Sequence, residues 1–283
     1  MSLKAKKPVV AKGRLKLFLY GNAKVGKSTM SIQFPKPYII DTEGSMDKRK
    51  YVDLINASDG AVLLTQDFDE LLEQVKSLMI EKHDYKTLVI DSMTVLYNDL
   101  LEKSALKNGT DFGRHYGEAN KRMKHLFNLL VRIDMNVIIT SHAKNEYGQN
   151  MVVLGTTFDC YKKLDYLFDL IIELQKRGQD RIAIVKGSRL IEFPEDDQFQ
   201  ANYSEFSTRY DKEILERVAV NEKLATQDQV DHLKHLVDLY KEPQEVIDKW
   251  LDKAGAEKFE EMNEVVIQKI IDHMENKAKK AIK

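Results

Sequence analysis

The chain has one cysteine, Cys160, so an internal disulfide is excluded and a reducing compartment such as the cytoplasm is expected. Its five prolines are scattered, which rules out a proline-rich linker. No apolar run reaches the roughly eighteen residues that a membrane-spanning helix needs. The first residues lack an apolar core: Lys4, Lys6 and Lys7 precede only Pro8, Val9 and Val10, so no secretory signal is expected. The seven histidines have no cysteine partners at zinc-finger spacing. His232 and His235, one helical turn apart, read as an exposed helix face.

Charge is lacking in bulk but not locally. The net charge is −1, so the protein does not cling to nucleic acid by overall charge. Residues 1–16 hold six bases (Lys4, Lys6, Lys7, Lys12, Arg14, Lys16) and no acid. Residues 225–276 hold thirteen acids against six bases. Any contact with a polyanion must therefore be local and use the first two hundred or so residues.

What is present fits a globular α/β domain with a small accessory module: 283 residues, 43% apolar and 31% charged. A basic arm, expected to be mobile, covers 1–13. From Leu15, short apolar runs alternate with helical stretches, which predicts a mostly parallel, twisted sheet with crossover helices. Strands are predicted at Leu15–Tyr20, Tyr38–Asp41, Ala61–Thr65, Thr87–Asp91 and Val137–Ser141, with a later antiparallel pair at Leu170–Leu174 and Ile182–Lys186. Helices are predicted near 28–33, 68–81, 94–106, 117–133 and 158–168. The core so defined runs over 14–216. An acidic all-α module follows at 225–276, opened by a capping box at Thr226–Gln229 and punctuated by Pro243 and Gly255. A lysine-rich tail, 277–283, ends the chain.

One motif carries chemistry clearly. Gly21, Asn22, Ala23, Lys24, Val25, Gly26, Lys27 and Ser28 have the spacing G-x-x-x-x-G-K-[ST], between an apolar strand and a helix. Glycines let backbone N–H groups curl around phosphate oxygens, and the helix start adds positive potential. Lys27 is expected on the β- and γ-phosphates of ATP, Ser28 on Mg2+, and Thr29 on the α-phosphate. The run Thr87–Asp91 ends in an acid that would orient the same Mg2+. Tyr38–Gly44 ends in two carboxylates at alternate positions, Asp41 and Glu43, expected to share a face of a strand adjacent to the phosphate loop. Glu43 is the candidate base for a hydrolytic water, with Asp41 structural. Val137–Thr140 leads to Ser141 and His142, the latter open between a satisfied loop histidine and a phosphate sensor.

These pieces in this order resemble RecA and its relatives over about 14–190. They resemble more closely short phage-encoded RecA-like ATPases of the Sak-four, single-strand-annealing type. The likeness lies in Phe34–Pro37 leading into Ile40–Gly44, in Tyr116–Gly117, in Asn136–His142, and in Thr157–Asp159 before Lys163–Asp169. The resemblance implies a RecA-like P-loop NTPase core that hydrolyses ATP with Mg2+ at subunit interfaces of a filament or ring. Glu43 would be the catalytic glutamate, Asp91 the Walker B acid, and His142 would stand where RecA has a sensor glutamine. Lys186 would reach a neighbour's γ-phosphate, with Arg189 in reserve.

The same resemblance puts single-stranded DNA on two segments, 105–117 and 143–157. Around the first, 103–124 carries six bases against two acids with Phe112 and Tyr116 interleaved, the composition that charge contact and base stacking require. Lys107, Arg114, Tyr116, Lys121, Arg122 and Lys144 are the candidate contacts, and Tyr147 and Asn150 sit in the second segment, read as a flexible loop. The acidic module is expected to dock protein, such as a single-strand-binding protein, or to serve stability alone, with Trp250 in its core. A DNA-dependent ATPase of phage recombination is thus the leading expectation. A nucleotide-gated assembly switch and a helicase or helicase loader are the alternatives.

Overall fold

The computed structural model describes residues 5, 7, 13–148, 152–164 and 168–281. Lys4, Lys6 and Lys12 of the basic arm, Asn150, and Lys283 of the tail lie outside them. Two compact units are present, one of 1–66, 84–96 and 135–219, the other of 67–83, 97–134 and 220–283. Among the described residues no helix is long and apolar enough to cross a membrane.

The first unit is built on one sheet. Its strands are β1 (Lys16–Gly21), β2 (Pro37–Asp41), β3 (Ala61–Leu64), β4 (Thr87–Asp91), β5 (Asn136–Tyr147), β6 (Val153–Phe158), β7 (Leu170–Arg177), β8 (Asp180–Ser188) and β9 (Gln198–Gln200). The order is β3-β2-β4-β5-β1-β7-β8-β9, with β6 paired to β5 alone. From β3 to β7 every pairing along this order is parallel, while β8 and β9 close the far edge antiparallel. β1 is buried along its whole length, as the middle strand of a sheet covered on both faces must be. Leu17 and Leu19 join a cluster with Met30 and Ile32 of α1 (Lys27–Ile32), Ile55 of α2 (Arg49–Ala57) and Phe206, Ile172, Leu174 and Val185. Phe18 points the other way and meets Phe158 edge-on at 5.0 Å.

The second unit is helical: α3 (Phe68–Ile80), most of α4 (Met93–Asn108), α5 (Arg114–Arg132), and α8 (Gln227–Tyr240), α9 (Gln244–Ala254) and α10 (Glu264–Ala281). Short α6 (Tyr203–Arg209) and α7 (Lys212–Glu216) belong to the first unit. The expected capping box forms at Thr226 and Gln229, and Gly255 ends α9 in the left-handed conformation at φ 63. Val230, Leu233, Leu236, Met262, Ile267, Ile271 and Met274 form the module's core, and Trp250 is partly buried against it.

Three local expectations are corrected. Within the segment 143–157, residues 143–147 and 153–157 are strand rather than loop: β5 runs on to Tyr147 and pairs antiparallel with β6 from Ala143↔Phe158 onward. Lys144, Asn145 and Glu146 are all exposed, so no apolar–polar alternation announces the hairpin in the sequence. Of the helix expected over 158–168, residues 158–163 are not helical: Phe158 ends β6, Cys160 is buried in an irregular turn, and Leu164 enters a 3-10 turn, while 165–167 lie outside the described residues. α2 was not anticipated, because Lys48, Arg49 and Lys50 mask its apolar face of Tyr51, Leu54 and Ile55.

Candidate nucleotide site

The carboxyl ends of β1 and β4, the middle of β5 and the turn after β2 bring the conspicuous residues together. The chain leaves β1 at Gly21 (φ 155), passes Lys24 (φ 63), and enters α1 through Gly26 (φ 107). A side chain at Gly21 would put Cβ 2.5 Å from the Leu174 carbonyl oxygen, so only glycine lets the loop leave the sheet beside β7. Lys27 folds back over the loop, its Nζ donating to Gly21 O at 2.8 Å and Asn22 O at 3.0 Å. Burial lowers the Lys27 pKa, against the opposing fields of Asp91 and Glu43.

Asp91, at the end of β4, is 5% exposed. It accepts hydrogen bonds from Ser28 of the loop and from Thr140 Oγ1 of β5. Burial dominates these bonds and raises its pKa, and the neighbouring Glu43 charge adds to the rise. The next bond, Asp91–Ser92, is a cis peptide.

The two acids expected on one face of β2 diverge. Asp41 turns inward and accepts the N–H groups of Glu43 and Gly44, both at 3.0 Å, and of Met46 at 2.9 Å, so it shapes the turn. Glu43 lies beyond the strand and reaches across. Its Oε1 accepts the Ser92 hydroxyl at 2.7 Å and sits 2.6 Å from His142 Nε2. Burial pushes the Glu43 carboxyl up, but the Ser92 bond, then His142, and the Lys27 charge outweigh it and hold the group below the ordinary glutamate range. The strand leading to it, β2, was expected beside the phosphate-loop strand but is not adjacent to β1; β4 and β5 lie between them.

His142 is positioned from behind. Its N–H donates to Thr94 Oγ1 at 3.0 Å, and Thr94 Oγ1 lies 3.0 Å from Ser141 Oγ. Thr42 ties the turn to β4, its hydroxyl accepting Ser92 N–H at 2.8 Å and donating to Ser92 O at 2.9 Å. Ser92, Thr94 and Thr42 were not singled out in the sequence. Ser92 and Thr94 follow the Thr87–Asp91 run directly, and a hydroxyl there was the available signal.

Arg181 was missed with no local signal at all. Its Cδ lies 3.5 Å from where a Cβ on Gly26 would be, so the side chain flanks the phosphate loop. Its donors go to the Gln179 and Asp180 carbonyls at 3.2 and 3.3 Å, and among the described residues no carboxylate pairs with it. β8 reaches the loop only because β7 and β8 follow β1 in the sheet.

Lys186 joins none of these contacts. Its Nζ is 4.0 Å from Glu173 Oε2, in a cavity of about 500 Å3 lined also by Tyr20, Thr156 and Gln175. Arg189 pairs with Asp169 at 3.5 Å. Of the basic candidates, Lys107 pairs with Glu118 at 2.8 Å, Lys144 with Asp159 at 3.0 Å, and Arg122 with Asp69. Arg114 and Lys121 are exposed and have no described carboxylate partner, and Phe112 is wholly exposed with Tyr116 47% exposed.

Strand order and loop together place the chain among P-loop ATPases with a RecA-like core. Residues 13–202 match the family model described as an AAA domain (AAA_24). That span exceeds half of the 283 residues, and the chain belongs to this family. No curated protein matches it. Among solved structures, the crystal structure of the RadB recombinase is similar at 20% identity, covering 64% of this chain and 84% of that one with a TM-score of 0.46.

Proposed function

We propose that this protein hydrolyses Mg2+-bound ATP at the Gly21–Ser28 loop, with Glu43 as the base that orients and deprotonates the attacking water. The observation that carries this is Glu43 itself. An ionised carboxylate, held by Ser92 and His142 and felt electrostatically by Lys27, is the group that would meet a water beside a γ-phosphate bound on the loop. Lys27 would trade its two loop carbonyls for phosphate oxygens, a charge-assisted and therefore stronger pairing. The Ser28 hydroxyl and Asp91 carboxylate, bonded to each other, are hard oxygen donors of the kind Mg2+ takes. When bound, that ion would neutralise charge building on the β- and γ-phosphates. Its presence would also relieve the burial that disfavours an ionised Asp91. His142, bonded to the base and fixed by Thr94, would report the loss of the γ-phosphate by releasing or regripping Glu43.

The resemblance to phage annealing ATPases supports a finer reading: assembly into a filament or ring on single-stranded DNA during recombination, with Lys186 completing a neighbour's site. Exposed Phe112, Tyr116, Arg114 and Lys121 suit stacking and phosphate contact. One observation favours a second reading. Lys107, Arg122 and Lys144 are engaged by carboxylates, which suits a nucleotide-gated switch for a protein partner with DNA incidental.

ATP turnover with and without single-stranded DNA, measured alongside particle size, separates the two. Stimulation with DNA-length-dependent assemblies supports the first reading; unstimulated turnover with partner-dependent assembly supports the second. Glu43→Gln should bind nucleotide normally and lose at least about 100-fold in turnover. Full turnover in that variant moves the base elsewhere.

A further inference from the structure

In the second unit, which does not contain the nucleotide loop, an imidazole and two carboxylates converge. His125 of α5 is 8% exposed, and its Nε2 is buried without a hydrogen-bond partner. A buried polar nitrogen left unpaired is costly and rare in a native fold, so its surroundings ask for a ligand. Facing it are Glu257 and Glu261, both from the connection between α9 and α10. One ligand atom from each of the three residues lies within 4.8 Å of the other two, and Glu257 Oε2 is 4.0 Å from His125 Nε2.

The two glutamates differ in freedom. Glu261 is anchored, taking Lys76 Nζ on Oε1 and the Glu257 N–H on Oε2, both at 3.0 Å. Each of those oxygens keeps a second lone pair. The Glu257 side chain is 57% exposed and accepts no hydrogen bond in the described structure, so it can move inward. In a tetrahedral zinc site, metal–ligand distances near 2.1 Å put ligand atoms about 3.4 Å apart. The closure required is therefore small and falls mainly on the mobile side chain.

We propose that His125, Glu257 and Glu261 form a site for a divalent transition-metal ion, zinc above all, that pins α5 to the turn between α9 and α10. The donor set selects the ion: neutral imidazole suits zinc and its neighbours, whereas magnesium takes oxygen alone. Charge also allows it. Two carboxylates balance the ion, and Arg132, a nearby cation, is already held by Glu222 at 2.5 Å. Lys76 remains on Glu261 as the partner that orients it. No sequence spacing announces such a site, because its ligands come from residues 125, 257 and 261.

The test uses the full nucleotide-free chain, without any affinity tag, titrated with Zn2+, Mg2+ and Co2+. His142→Ala accompanies it, because the His142–Glu43 pair is the competing zinc site. Zinc at about 100 times its dissociation constant should raise the melting temperature by about 5 °C or more in the parent and in His142→Ala. Cobalt should give a tetrahedral absorption band, and magnesium should do neither. The zinc shift should vanish in His125→Gln and fall at least tenfold in apparent affinity in Glu257→Gln, whose exposed side chain the fold does not need. No zinc shift in the parent, or a shift unchanged in Glu257→Gln and in any His125 variant that folds, overturns the proposal.

Discussion

Asp91 has a cost that its neighbours do not remove. Its carboxyl titrates above the ordinary aspartate value because burial outweighs the bonds from Ser28 and Thr140. An acid raised on folding is neutral in both states at low pH and is forced to ionise in the fold above its folded pKa, so it subtracts stability at neutral pH. Asp91→Asn should therefore melt higher than the parent at pH 7, and the gain should shrink toward zero below about pH 4. It should also weaken Mg2+-nucleotide binding. A lower melting point at pH 7 would mean that the Ser28 and Thr140 bonds matter more than burial. Glu43 has the opposite sign. With its pKa depressed it stays ionised through neutral pH, and its stabilising contribution is lost only as pH falls through its folded value. The acid limb of turnover should accordingly lie below about pH 4.3, and Ser92→Ala should move it upward.

At the scale of elements, the phosphate loop depends on a neighbour that the sequence does not name. Gly21 leaves β1 with φ 155 and its α-carbon against β7, where a Cβ would meet the Leu174 carbonyl oxygen at 2.5 Å. Gly21→Ala should cost about 1–3 kcal/mol in urea unfolding and loosen nucleotide binding in parallel, since the loop must shift off β7. An unchanged denaturation midpoint would show that the loop exit yields cheaply. The β5–β6 hairpin makes the converse point. The resemblance and the glycines suggested a loop over 143–157, yet paired backbone needs only a partner strand.

For the molecule as a whole, charge is the quantity to test. Of the six bases in 103–124, Lys103, Lys107, Arg122 and Lys124 are each paired with a carboxylate, which leaves Arg114 and Lys121 for an outside anion. Exposed ion pairs are worth little and are readily exchanged, so pairing alone does not disqualify the four. Replacing Arg114 and Lys121 together by alanine should weaken single-stranded DNA binding and reduce the slope of log K against log salt by about 1.4, at ~0.7 per phosphate contact. An unchanged slope removes this segment from any DNA surface and shifts weight to the switch reading.

Sequence alone determined what is local. The alternation of apolar runs with helical stretches, the loop spacing from Gly21 to Ser28, the acid ending Thr87–Asp91, and the cap at Thr226–Gln229 all rest on periodicity and turn chemistry within a few residues. Only the tertiary structure decided which strand lies beside which. That order turned Glu43 toward Ser92 and His142 while Asp41 folded inward and set Arg181 of β8 against Gly26; separately, helix packing in the helical unit drew His125, Glu257 and Glu261 together. Pairings between residues tens of positions apart leave no trace in a linear pattern, because backbone hydrogen bonds and burial, not neighbouring side chains, choose the partner.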